Sequence, residues 1–206
     1  MQFILAKAKN IMYLGALWGL SEATLGYLLH WLPIGLAGAL MFPIGAFFLY
    51  QAWQKDRSYT VVAAVTALAA LIKSVDFFLP MPSPMSVINP ISAILLQGVI
   101  LSVLFPYLEK KHSLLIDFGT VFSWIFLFTA FQIIVFKPID GLWLAALPEM
   151  IAVFAVISLL GGAFLHVGIS KERTFLIQIT SFSPSWLHCM LIFAFAIALE
   201  ALNSLI

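Results

Sequence analysis

Charge is scarce in this chain: only 9% of its 206 residues are Asp, Glu, Lys or Arg, too few to clothe a water-soluble domain. Cysteine is nearly absent as well. The single Cys189 permits no intrachain disulfide and no thiolate cluster for a metal. No basic run exceeds two residues and the formal net charge is +1, which withholds the electrostatic footprint that nucleic acid demands. Also missing are a phosphate-binding glycine loop with its lysine, a paired-histidine metal motif, a serine nucleophile elbow and an Asp-rich diphosphate motif. Without them the chain is expected to be no enzyme, to carry no cofactor or metal, and to have no nucleotide domain with which to drive a pump.

What is present is apolar. Hydrophobic residues make up 63% of the chain and the mean hydropathy is +1.09. The few positive charges are placed with regularity: eight of the ten Lys and Arg residues fall in four tight groups, Lys7/Lys9, Lys55/Arg57, Lys110/Lys111 and Lys171/Arg173. Each interval between groups is long enough for two membrane-crossing helices of about 20 residues and a turn, so every group returns to one side. The positive-inside bias makes that side the cytoplasm. The chain is therefore expected to be an integral protein of the cytoplasmic (plasma) membrane with its N-terminus inside and its C-terminus outside.

Apolar runs between polar punctuation predict helices over 11–32, 36–53, 59–79, 88–108, 114–136, 142–167 and 186–206. Lys7 and Lys9 before an apolar run resemble a signal-peptide start. Glu22 interrupts that run and no cleavage site follows, so the segment is read as a retained first helix. Residues 174–185 are too short to span and end in Ser183-Pro184-Ser185, which predicts a helix lying in the interface. Proline and glycine mark the outer turns at 33–35, 80–84 and 137–141. The fold class expected is all-α, a polytopic bundle of six to seven transmembrane helices forming one domain over 1–206.

Five ionisable residues fall inside these segments away from the basic groups: Glu22, Lys73, Asp76, Glu149 and Glu200. A charge at mid-bilayer costs about 2.5–3.5 kcal/mol on insertion scales, so each should face the bundle interior or water. Together they carry an excess of three negative charges when all are ionised, which requires protonated carboxyls or a bound cation. On the first helix Gly15, Gly19, Glu22, Ala23, Gly26 and His30 share one arc, and Gly15, Gly19 and Ala23 form a small-residue ladder suited to close helix approach. On the third, Lys73 and Asp76 stand three residues apart, a spacing that permits an ion pair. The fourth presents Asn89, Ala93 and Gln97 at successive four-residue steps, the fifth carries Gln132, and the sixth carries Glu149 after Pro148. The seventh aligns Cys189, Ala196, Glu200 and Asn203. His30, His166 and His188 sit at interfaces, as does most of the tryptophan. The polar set is biased to the outer half, with Glu22 and Gln97 near mid-depth, a distribution expected of a cavity open to the outside.

The small-residue ladder, the short loops and the outer polar set resemble the substrate-binding component of energy-coupling factor type vitamin transporters. The resemblance implies a compact helical bundle that binds a small molecule and works with a transmembrane coupling subunit and an ATPase pair. It also implies that Gly15, Gly19 and Ala23 face the coupling subunit. Members have six helices with both ends in the cytoplasm, against seven counted in this chain. On this reading Lys73, Asp76, Asn89, Gln97 and Glu149 are the substrate-binding residues, and the ligand is a vitamin-like or cationic organic molecule taken up from outside the lipid bilayer. Two rivals stand beside it: a standalone proton-coupled carrier titrating Glu22 or Glu149, and a non-transporting assembly subunit whose buried polar groups serve only helix association.

Overall fold

A computed structural model describes residues 2–29, 36–78, 84–111, 113–136, 147–180 and 184–203. The described residues are all helical, with no strand. Helix α1 runs Gln2–Ser21, opens into one wide π-helical turn at Glu22–Gly26 and closes again at Tyr27–Leu29. The hydroxyls of Ser21 and Thr24 bond back to the carbonyls of Leu17 and Leu20 at 2.9 and 2.8 Å, competing with the amides of the helical ladder where it widens. Helix α2 spans Leu36–Asp56 with Pro43 inside it. Helix α3 spans Tyr59–Lys73 and tightens into a 3-10 turn over Ser74–Phe78. Then follow α4 (Met85–Lys110), α5 (Leu114–Phe136), α6 (Leu147–Thr180) and α7 (Trp186–Asn203).

Helices occupy all seven apolar segments. Three stretches, Tyr59–Phe78, Met85–Lys110 and Leu114–Val135, are long and apolar enough to cross a membrane. Two boundaries differ from the sequence expectation. Helix α1 starts at Gln2, well before residue 11, because Lys7 and Lys9 do not interrupt helix formation. Helix α6 continues through Lys171, Glu172 and Arg173 to Thr180, so the separate interfacial helix expected over 174–185 does not form. Most residues of the three outer turns lie outside the described set.

Apolar side chains fill the interior and also cover much of the outside. Trp18, Phe42, Leu49, Val65, Leu101 and Phe105 form a buried core, with the Trp53 and Phe105 rings stacked at 6.0 Å and the Phe42 and Trp124 centroids 4.9 Å apart. Large apolar side chains such as Phe78, Val99, Leu115 and Ile134 point outward, as lipid-facing surfaces require. Helix α1 packs against α2, α3 and α7, while α6 packs against α2 and α5.

At one end the chain is tied by polar groups. Arg57, at φ 47° in the left-handed region, turns the chain from α2 to α3. Its guanidinium pairs with Glu109 at the end of α4, whose other carboxylate oxygen accepts from Gln54 Nε2 at 2.7 Å. Arg57 Nη2 in turn donates to Gln54 Oε1 at 3.1 Å, which closes a ring of donors and acceptors. Beside it Lys55 Nζ donates to Asn10 Oδ1 at 3.4 Å, and burial pulls this ammonium below its ordinary pKa against the opposing influence of Asp56.

Candidate functional site

Helix α3 carries Lys73 about 21 Å from its start at Tyr59, given 1.5 Å of rise per residue. There the helix tightens to three residues per turn. That winding brings positions three apart into line, so Asp76 falls over Lys73 and its Oδ2 accepts from Lys73 Nζ at 2.9 Å. The same ammonium pairs with Glu200 Oε1 from α7, a carboxylate only 1% exposed. Glu22, in the π-helical turn of α1, stands in electrostatic range of Lys73 and accepts from Trp18 Nε1 at 3.2 Å. Acids from the end of α3 and from α7 thus meet at one ammonium, with Glu22 of α1 in its field.

Acceptors outnumber donors at this junction. Glu200 Oε2 and Asp76 Oδ1 are buried without a hydrogen-bond partner. A buried acceptor left without a donor costs about 1–3 kcal/mol, and its free lone pairs are places where a donor can bind. With all groups ionised, Glu22, Asp76 and Glu200 exceed Lys73 by two negative charges. Among the described residues no grouping of His, Cys, Asp and Glu has the geometry to hold a metal ion. The two unpartnered carboxylate oxygens have the capacity to accept from N–H or O–H donors.

Of the residues singled out from the sequence, Lys73 and Asp76 belong to this junction and Glu22 stands beside it. Gln97 does not join it. It is buried in the core, where its Nε2 donates to the Phe42 carbonyl at 2.6 Å, next to Pro43. Asn89 sits half-buried in the second turn of α4, with Oδ1 buried and unpartnered and no hydrogen bond to Lys73 or Asp76. The side chain of Glu149 lies outside the described residues. The ladder of α1 is filled by the chain itself: a Cβ at Gly15 would stand 2.8 Å from the Cβ of Leu68, and one at Gly19 would collide with Ile72 Cδ1. Gly15, Gly19 and Ala23 are buried, so the face assigned to a coupling subunit is instead the seam between α1 and α3.

Two features escaped the sequence reading. Glu200 was recognised as buried but not as the partner of Lys73; Lys73 is the one Lys or Arg far from both the basic groups and a turn, and that isolation calls for a carboxylate across the bundle. The other is Asp117, fully buried in the first turn of α5, whose Oδ2 lies 2.8 Å from His166 Nδ1 on α6. One turn before His166, a Cβ on Gly162 would lie 2.8 Å from Phe118 Cα, so α5 and α6 are in backbone contact at this pair. An acid on one helix and a histidine just after the small-residue run Gly161-Gly162-Ala163 on the next were the available signal. No protein family, curated protein or solved structure matches this chain.

Proposed function

We propose that this chain is the membrane-embedded, ligand-capturing subunit of a small-molecule uptake system, taking an organic cation at the junction of α1, α3 and α7 and drawing its energy from separate partner subunits. One observation carries the reading: Asp76, in the tightened turn after α3, and Glu200 of α7 pair with a single ammonium and leave Asp76 Oδ1 and Glu200 Oε2 without donors. A seam built only for packing would match its donors to its acceptors. The placement of the four basic groups supports a bundle of six to seven crossings in the cytoplasmic membrane, N-terminus inside, with the junction in its outer half. The resemblance to energy-coupling factor substrate-binding components supports the reading in size and all-helical class, although seven helices stand against their six and the ladder expected to meet their coupling subunit is used internally.

The test is affinity purification of the tagged protein from its native membrane in mild detergent, with mass spectrometry of co-purifying proteins and small molecules. Recovery of a second membrane subunit, an ATPase pair and a bound organic cation is the expected result. A lone chain without ligand overturns the reading. A standalone proton-coupled carrier is the second reading, favoured by the position of Glu22 in a π-helical turn beside the ion cluster. Uptake by the purified chain alone in liposomes, abolished when the proton gradient is collapsed, would put it first.

A further inference from the structure

We propose that the junction of α1, α3 and α7 is a proton-for-ammonium exchange site: Asp76 and Glu200 share one proton when no ligand is bound, and a primary ammonium takes its place on Asp76 Oδ1 and Glu200 Oε2. The inference rests on the binding reading above and gives that site its ligand class and the proton that the ligand displaces.

The geometry supplies the argument. Lys73 Nζ engages one oxygen of each acid, Oδ2 of Asp76 and Oε1 of Glu200, and the remaining oxygens have no donor. Glu200 is 1% exposed and Asp76 13%, so water does not supply the missing donors freely. A proton shared by the two acids cures both defects at once: it provides one O–H donor and removes one buried negative charge. A primary ammonium does the same with two of its three N–H groups and leaves the third, with its organic substituent, free. The exchange balances in atoms and charge: one R–NH3+ enters, one H+ leaves, and the net charge of the site is unchanged. No electron transfer and no co-reactant are involved.

The charged and titratable groups facing the pair are Lys73 on α3 and Glu22 on α1. Those of the other elements in contact lie elsewhere in sequence: His188 and Cys189 begin α7, Tyr50, Lys55 and Asp56 end α2, and Tyr107, Glu109 and Lys110 end α4. Glu22 keeps its own donor in Trp18 Nε1. The Asp76–Glu200 pair is thus the part of the junction with acceptor capacity to spare.

The test uses the full chain in lipid nanodiscs with benzylammonium as probe. Infrared difference spectroscopy should find a protonated-carboxyl band at neutral pH that Glu200→Gln and Asp76→Asn each remove and Glu22→Gln retains. Benzylammonium should bleach that band and release about one proton per chain into weakly buffered medium, and Glu200→Gln should abolish the release. Circular dichroism of each variant confirms that it is folded; should Glu200→Gln not fold, Asp76→Asn carries the same comparison. A band indifferent to both substitutions overturns the shared proton. Binding of benzylammonium by calorimetry without proton release overturns the exchange while leaving the uptake reading standing. Failure of wild type to bind benzylammonium overturns the ammonium class, and failure to retain any organic molecule from the native membrane is the separate result that removes the uptake reading.

Discussion

The two polar clusters of this molecule are built from similar groups and end in opposite states. Around Arg57, one acid meets one base, Gln54 bridges them, and both oxygens of Glu109 receive a donor. Around Lys73, one base pairs with both Asp76 and Glu200, and two buried oxygens receive nothing. The first cluster ties a turn to a helix end and is complete. The second has spare acceptors in a place where water is scarce. Counting donors against acceptors separates a strut from a site more cleanly than counting ion pairs does, since both clusters contain the same kind of bond.

The sharpest way to break that comparison is to remove one acid from each cluster. Glu200→Ala leaves the Lys73 ammonium short of a buried partner and should destabilise the chain by about 3–5 kcal/mol, read as a large drop in thermal unfolding midpoint in detergent. The triple substitution Lys73→Met, Asp76→Leu and Glu200→Leu should recover most of that loss while abolishing ligand capture, because it leaves no member of the ion cluster without its counter-charge. Should Glu200→Ala cost no more than Glu109→Ala, the contrast between strut and site collapses.

Next in size is a packing contrast. Gly19→Leu would drive a side chain into Ile72 and should cost about 1–3 kcal/mol in the isolated chain, partly restored by Ile72→Ala. A Gly19→Leu chain that unfolds like wild type yet fails to assemble with partners would return the ladder to the role of a docking face. Asp117→Ala should cost a similar or smaller amount, about 1–3 kcal/mol, by removing the hydrogen bond between His166 and a fully buried carboxylate at the α5–α6 seam without touching ligand capture. The smallest effect belongs to Arg57→Gly. The exposed pair contributes about 0–1 kcal/mol and the glycine relieves the left-handed backbone, so unfolding should shift hardly at all.

The helices were legible because lipid demands long apolar runs and the basic groups punctuate them. The Lys73–Asp76 pair was legible too, since three residues along one helix fix a neighbour regardless of tertiary structure. What lies between helices was not. Periodicity shows that α1 has a small-residue face but not that Leu68 and Ile72 of α3 fill it. It puts Glu200 on the stripe of α7 that faces inward without revealing which residue of α3 it meets. Gln97 looked like a ligand contact because buried amides are costly; its actual partner is a backbone carbonyl beside Pro43, which no side-chain pattern records. Asp117 was passed over because it begins its helix close to Lys110 and Lys111, where an acid reads as part of a solvated turn.

The uninterrupted course of α6 has a mechanical meaning. Its 34 residues measure about 51 Å, longer by about 20 Å than the roughly 30 Å hydrocarbon thickness that a single crossing needs. Its C-terminal part carries Lys171, Glu172 and Arg173 and has no joint between itself and the turn where Gly162 and His166 touch α5. A force applied to that basic tip arrives at the α5–α6 seam as a tilt of a single rod rather than being absorbed in a loop. The lever arm is already part of the molecule.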